Sequence, residues 1–346
     1  MGDRPGPVLV TGAISGMRLI ELSETLVASL AFGHRAWELA ASTAGAVVIG
    51  GAWAAHAWAR RRDLRAAPER TAGDWLTRGY LYGALFVTAV LACVGAGNIL
   101  TVAARGLLDL RPAWESVMWW EEELAWALAL TLVATVAWGV HWRFASRLLQ
   151  SPSPMGDAHR ASRTRCGYFL TFVLAATAAS LLLISMCLRT VFAEVTGSWQ
   201  PTDGSRLLEE VGGPLLLAVP FLVAWWWHLR RAGTEALAFG GQDHAWATRR
   251  AGRLVVAFVG LAGLTIGLTW ELQALLDAMA SSGQETLFSS DEVTDVSTSA
   301  LAGALVGLTL WAPAWVLSQR DRAHDVVTAA TATARRAYLF LVSGLA

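Results

Sequence analysis

The sequence predicts an all-α membrane protein, a polytopic bundle of transmembrane helices made by repetition of one two-helix unit. Two observations of composition and one of pattern support this fold class. Hydrophobic residues make up 55% of the 346 residues and charged residues 16%, whereas about a quarter of an average globular domain is charged. In addition, a Trp-x-x-His motif or a close variant recurs about 87 residues apart, each copy ending an apolar stretch.

Eight apolar stretches are long enough to cross a bilayer, whose hydrocarbon core of about 30 Å requires roughly 20 residues of helix. They are predicted to be helices because an isolated strand in hydrocarbon would leave its backbone groups without hydrogen bonds. The first stretch contains charged residues, and we expect it to span because the repeat requires a helix there. The eight predicted helices are residues 8–32, 39–58, 79–104, 122–145, 167–192, 212–229, 252–276 and 298–317.

Charge alternates between the segments that connect the predicted helices. The segments after the motif copies are rich in arginine: residues 57–78, 142–165, 229–253 and 319–336. The opposite segments are acidic: residues 103–123, 189–212 and 271–297. Because positive residues near the ends of spanning helices stay in the cytoplasm, the pattern predicts a cytoplasmic N-terminus and cytoplasmic arginine-rich segments. The motif tryptophans are then predicted to be anchors at the inner interface: Trp53, Trp138, Trp225 and Trp315.

The predicted helices form two four-helix halves, each made of two repeats. The first half is residues 1–150 and the second is residues 164–334, and a Pro/Ser-rich cytoplasmic linker joins them at residues 151–163. Residues 335–346 then begin a ninth helix that ends after about ten apolar residues, too few to cross a bilayer. This last segment is interpreted as the start of a further repeat or as a truncated terminal helix.

The repeat resembles a known but uncharacterised family. The Arg-Gly-Tyr helix start at residues 78–80 and the Trp-x-x-His-Trp-Arg helix end at residues 138–143 are similar to those of a four-helix bacterial integral-membrane domain that occurs in tandem copies. The resemblance covers most of residues 8–336 as two copies and is best in residues 78–147. It implies the architecture and a place in the bacterial inner membrane, and it implies nothing about mechanism.

Three motif histidines are the candidate ligands of this chain: His56, His141 and His228. Imidazole titrates near neutral pH and is the commonest metal ligand, so the three residues are weak candidates for axial haem ligation. The alternative is interface anchoring, which the dipole at a helix C-terminus also favours for a histidine followed by arginine. Since the fourth copy has Ser318 at this position, anchoring is preferred and no cofactor or metal is predicted.

Polar residues inside the first helix of each repeat form a second candidate set: Arg18, Glu21, Asn98, Arg189 and Glu271. Ionisable residues in hydrocarbon are rare and usually face a cavity or a partner. One hypothesis is a proton or ion path with Glu271 as carrier and Arg189 as its counter-charge. The other is that these residues lie close to the outer interface and extend towards water.

Acidic residues at the starts of the second helices are predicted to stabilise the helix N-termini, in preference to forming a cation site. Pairs of glycines four residues apart are predicted to bring helices together within the molecule, in preference to mediating dimerisation. The acidic clusters are Glu121–Glu123, Glu209–Glu210 and Asp291, Glu292 and Asp295. The glycine pairs are Gly12/Gly16, Gly79/Gly83, Gly263/Gly267 and Gly303/Gly307.

No pattern of catalytic residues, phosphate-binding loop, dinucleotide motif or zinc-site spacing is found in the sequence, so no enzyme is predicted. Net charge is zero, which gives no reason to expect nucleic-acid binding. The expected partners are the lipid bilayer and other membrane subunits, in an oligomeric state that the sequence leaves open. The first functional hypothesis is a scaffold, accessory or sensory subunit; the alternatives are a transporter or channel and a haem-binding electron-transfer subunit.

Overall fold

A computed structural model describes residues 21–23, 75–108, 119–160, 162–196, 204–280, 290–323, 335–336, 338–340 and 342–343. The described residues are almost entirely helical and contain no strand, as the fold class predicts. Six helices follow one another in this part of the chain. They are α1 (Trp75–Leu107), α2 (Trp119–Gln150), α3 (Pro154–Arg160), α4 (Arg163–Thr196), α5 (Gly204–Ala280) and α6 (Ser290–Ala323).

Six helical segments of the described chain are long and apolar enough to cross a membrane, and they coincide with six of the eight predicted spans. Two predicted spans, residues 8–32 and 39–58, lie outside the described residues, except that residues 21–23 are helical. Six of the predicted helices are therefore confirmed, and their length and composition fit a multi-pass membrane protein. The six segments are Arg78–Leu107, Glu123–Gln150, Thr164–Thr196, Glu209–Ala238, Thr248–Leu276 and Val296–Arg320.

Helix α2 shows how these helices divide their surface. Leu132, Val136, Val140 and Phe144 are each more than half exposed, and their spacing of four residues places them on one face of the helix. Small residues cover the buried face instead, among them Ala127, Ala134 and Ala145. A continuous exposed row of large apolar side chains is typical of a helix in contact with lipid acyl chains.

The chain folds into two compact bodies, an N-terminal body of residues 1–168 and a C-terminal body of residues 169–346. In the N-terminal body, the short helix α3 lies in the segment predicted to be a linker. Ser153 caps it, because its hydroxyl oxygen accepts a hydrogen bond from the backbone N–H of Gly156 at 3.2 Å. Pro154 occupies the first helical position, where its missing N–H is not needed.

Helix α5 reverses direction within its length. A Cβ on Gly233 would lie 3.3 Å from Nε of Arg249, and a Cβ on Gly252 would lie 2.9 Å from Cδ2 of Leu229. In a straight helix, residues 16 positions apart are separated by roughly 24 Å. The chain therefore turns back between Gly233 and Arg249. The first arm of α5 (residues 204–238) and the second arm (residues 248–280) carry the two spans that the sequence predicts there.

The second arm of α5 and helix α6 are antiparallel and touch at their backbones. A Cβ on Gly260 would lie 2.8 Å from the carbonyl oxygen of Gly307, and one on Gly267 would lie 2.6 Å from that of Ala300. Gly263 also packs against the Cα of Gly307. For these glycines, the prediction of helix packing within the molecule agrees with the structure. A side chain at Gly260, Gly267 or Gly307 would force the two helices apart.

Candidate functional site

The motif histidine of α2, His141, is only partly buried. Its Nδ1 lies 2.7 Å from the carbonyl oxygen of Ala137, four residues earlier in the same helix. Its ring is next to that of Tyr80, with centroids 6.1 Å apart. Beside it, the motif residue Trp138 stacks on Trp142 with ring centroids 5.5 Å apart. This copy of the motif is thus a surface cluster of aromatic rings at the arginine-rich end of the helix pair.

The equivalent residue of the next copy, His228, is 2% exposed. Its Nδ1 lies 2.7 Å from the carbonyl oxygen of Ala224, so we assign the proton to Nδ1, which leaves Nε2 as the nitrogen available to a metal. The ring stacks on Phe172 at 3.8 Å between centroids and contacts the edge of Phe169 at 6.1 Å. His228 is therefore enclosed by two aromatic rings of α4, one on its face and one at an edge.

The third described copy carries Ser318, which is also 2% exposed. Its hydroxyl donates a hydrogen bond to the carbonyl oxygen of Trp315 at 2.8 Å. The ring of Trp315 stacks on that of Tyr338, with centroids 5.4 Å apart, and Trp225 packs on the same apolar cluster. Two of the predicted anchors therefore contribute to internal packing, and Tyr338 belongs to the same apolar cluster.

An exposed tryptophan that the motif did not single out lies next to Trp225. Trp226 is 50% exposed, and the guanidinium carbon of Arg230 lies 4.3 Å from the centre of its ring. This pair, with an apolar ring and a charged tip, is suited to the membrane interface. In the sequence, the feature that could have identified Trp226 was its place in a run of three tryptophans next to the motif. The anchor role of the four motif tryptophans stays a prediction, and Trp53 and His56 lie outside the described residues.

Basic side chains are buried among aromatic rings in the N-terminal body. Arg165 is 7% exposed, and its Nη1 donates a hydrogen bond to the hydroxyl of Tyr82 at 3.2 Å. Its guanidinium also lies about 6 Å from the ring centres of Tyr82 and Trp142. His159, in α3, is buried beside Tyr82. Burial, and then the charges of Arg78 and Arg165, lower the pKa of His159 below its ordinary value.

Two of the predicted intramembrane polar residues, Asn98 and Glu271, form hydrogen bonds within the protein. Asn98 donates from Nδ2 to the carbonyl oxygen of Val94 at 3.0 Å, within its own helix. The hydroxyl of Ser297, on α6, lies 2.9 and 2.8 Å from the two carboxylate oxygens of Glu271, on α5. The structure thus brings Glu271 to Ser297 and not to Arg189, the counter-charge predicted for it.

The other polar candidates lie as follows. Arg189 is partly buried in α4, and Glu21 lies in the helical residues 21–23. Arg18 lies outside the described residues. In the predicted ion path, the carboxylate of Glu271 is hydrogen-bonded to the neighbouring helix α6. Its partner there, Ser297, is a residue that the sequence analysis did not single out.

Two of the three acidic clusters lie at the starts of helices, as the sequence predicts, whereas Glu209–Glu210 lie beyond the first turn of α5, which has no acidic residue. Glu121–Glu123 fall in the first turns of α2, and Asp291 and Glu292 in the first turn of α6. Glu123 lies 3.7 Å from Nη1 of Arg105, at the end of α1. Within the part of the chain that the structure describes, no three histidine, cysteine or acidic residues are grouped as metal ligands would be.

Comparison with known proteins bears on the middle of the chain. No curated protein and no solved structure matches the sequence significantly. A family model matches a segment that contains α2, α3 and α4 and ends in the first arm of α5. The family has no known activity, which confirms the predicted resemblance to an uncharacterised domain. The matched segment is residues 111–221, and the family is described as a domain of unknown function, DUF5671.

Proposed function

We propose that this protein is a membrane scaffold or accessory subunit that has no catalytic chemistry of its own. The observation that carries the proposal is the backbone contact between α5 and α6, where Gly260 and Gly267 face Gly307 and Ala300 without intervening side chains. Such a contact leaves no passage between the two helices. Asn98 is likewise bonded within its own helix. A rigid bundle with large lipid-facing surfaces suits holding other membrane subunits.

The proposal includes a topology. Eight spanning helices form four repeats in two halves, and the N-terminus and arginine-rich segments lie on the cytoplasmic side of a bacterial inner membrane. The exposed Trp226 and Arg230 at the arginine-rich end support the position of that interface. Cysteines introduced at Asp157 and at Val195, both exposed, test the orientation. Impermeant reagents added outside intact cells should label position 195 and spare position 157; the reverse result would contradict it.

The scaffold role is tested by deletion followed by complementation. Native gels of membranes from the deletion strain should show the loss or shift of at least one complex, and the wild-type gene should restore it. The variant Glu271→Gln should restore it equally, because a scaffold does not require an ionisable group at this position. If no complex changes on deletion, or if a stably folded Glu271→Gln protein fails to restore it, the scaffold proposal is wrong.

A second candidate function is transport, and Glu271 is the observation that favours it. This residue lies inside the apolar segment Thr248–Leu276, and its carboxylate is bonded to a neighbouring helix through Ser297. Ionisable groups at such positions serve as carriers in pumps and transporters. Transport predicts a proton or ion flux in vesicles that Glu271→Gln abolishes and Ser297→Ala reduces. An unchanged flux in both variants would remove this candidate.

A further inference from the structure

Arg250, near the start of the second arm of α5, is a buried arginine whose Nε has no acceptor among the described residues. It is 6% exposed, and its Nε is buried without a hydrogen-bond acceptor. Within the described residues, it forms no hydrogen bond or ion pair. An N–H donor that is buried without an acceptor loses its hydrogen bond to water and gains none in return, which is unfavourable. An anion supplied from outside the described chain would remove this penalty.

Other unpartnered N–H donors lie at the same end of the C-terminal body. Gly260 faces Gly307 and Trp311 across an antiparallel contact, so Arg250, ten residues earlier, is level with the stretch of α6 that contains Gln319. The Nε2 of Gln319 is buried without an acceptor, and so is Nε1 of Trp225. Trp225 packs on the cluster that contains Leu254, one turn from Arg250. Because all three nitrogens carry N–H groups, they suit a ligand rich in acceptor oxygens.

A carboxylate at this end of the body is already engaged by another arginine. Glu235 is buried and accepts a hydrogen bond from Nε of Arg231 at 2.7 Å. Arg249 and Arg253 stand on either side of Arg250 in the sequence, which adds to the positive charge of this end. The local excess of charge therefore favours a phosphate or another strong anion over a neutral ligand.

We infer that Arg250, with Gln319 and Trp225, binds the phosphate of an anionic phospholipid headgroup. The position of Arg250 favours a lipid over a soluble anion, since it lies two residues inside the apolar segment that begins at Thr248. That depth corresponds to the boundary between headgroups and acyl chains. Basic pockets between helices at the ends of spans bind lipid headgroups in this way. The inference holds for a scaffold or a transporter, so it does not depend on the proposed function.

The test compares Arg250→Met with Arg230→Met in two media. In a non-ionic detergent without lipid, Arg250→Met should raise the melting temperature, because the variant removes a buried donor that has no acceptor. Added phosphatidylglycerol should stabilise the wild type, and the lipid concentration needed should rise about tenfold or more in Arg250→Met. Arg230→Met removes an exposed charge from the same end, so it should keep the wild-type response.

Phosphatidylcholine and inorganic phosphate identify the ligand. Phosphatidylglycerol should stabilise the wild type more than either of them does. Equal stabilisation by inorganic phosphate would assign the site to a soluble anion and overturn the lipid, and equal stabilisation by phosphatidylcholine would overturn the anionic headgroup. An unchanged phosphatidylglycerol response in Arg250→Met would overturn the site itself. If Arg250→Met does not fold, Gln319→Leu must weaken the wild-type response for the inference to stand.

Discussion

The α1–α2 pair and the pair formed by the second arm of α5 with α6 carry the same sequence pattern but cross differently. Gly79 and Gly83 are exposed and have no atom within 4 Å of a Cβ position. Gly263 and Gly267, with the same spacing, lie in the backbone contact between α5 and α6. In α1 the close contact is made by Gly95, whose Cβ would lie 2.8 Å from the backbone nitrogen of Thr131.

The difference has a physical reason in the facing helix. Opposite Gly267, α6 presents Ala300 and Ala304, whose small side chains let the backbones meet. Gly79 and Gly83 lie instead on an exposed face of α1, with no atom within 4 Å of a Cβ position. A glycine pair therefore marks a crossing only where a neighbouring helix with small residues faces it. The spacing of two glycines alone does not distinguish these cases.

The largest expected effect comes from placing a side chain in the backbone contact between α5 and α6. Gly307→Leu places a Cβ against the backbone nitrogen of Leu264 and 2.6 Å from the carbonyl oxygen of Gly260. Neither backbone atom can move without separating the helices, so unfolding should become easier by about 3 kcal/mol or more. Chemical unfolding in mild detergent measures the change.

Gly303→Leu is the matched control, because a Cβ on Gly303 has no atom within 4 Å. It lies four residues away in the same helix and adds the same side chain. Its effect should stay within about 1 kcal/mol. Equal destabilisation by the two substitutions would show that the contact of Gly307 is not what holds α6 to α5.

The two motif histidines that the structure describes provide the second contrast. His228→Ala removes a buried ring stacked on Phe172, and the cavity should lower the free energy of unfolding by roughly 2 to 3 kcal/mol. His141→Ala removes a partly exposed ring and should lower it by about 1 kcal/mol or less. His228→Phe keeps the ring and should recover most of the loss. Similar values for both alanine variants, from the same unfolding measurement, would contradict the difference in burial.

The smallest expected effect is on pH dependence in the N-terminal body. The pKa of His159 is lowered from 6.5 by burial, Arg78 and Arg165, so the folded state favours the neutral ring. As pH falls below 6.5, the unfolded chain takes up a proton more readily, and stability is lost. Melting temperature should therefore decrease between about pH 7.5 and about pH 5.5. The melting temperature of His159→Gln should decrease less over this pH range. An identical slope in the variant would show that His159 does not cause the pH dependence.

Much of the fold follows from hydropathy, because length and apolar content alone define a spanning helix. Six predicted spans coincide with helices, yet the helices continue into the predicted loops, for example to Leu107 and Thr196. Hydropathy does not detect these polar helical ends. Helix α3 lies in a segment interpreted as a linker, although Ser153 followed by Pro154 is a recognisable helix start. The sequence signal for a helix start was therefore present, but the Pro/Ser-rich composition of the segment favoured a linker.

The candidate site was less predictable, because burial depends on neighbours that a motif does not specify. His141, His228 and Ser318 hold equivalent positions, but only the last two are nearly inaccessible. Ser318 shows that the buried position accepts a side chain without a ring. The partner of Glu271 was also missed, since Ser297 is on the next helix and no local spacing connects them. Arg250 was indistinguishable from its arginine neighbours until its burial was known.

The contact between α5 and α6 also sets an order of events during synthesis. Gly260, Gly263 and Gly267 leave the ribosome before the residues of α6 that cover them, Ala300 to Trp311. At a typical rate of about 5 to 20 residues per second, the glycine face is open to lipid or to insertion machinery for a few seconds. Packing of this glycine face within the C-terminal body therefore waits for the synthesis of α6. If the ribosome stalled after α5, the nascent chain would keep its glycine face uncovered by α6.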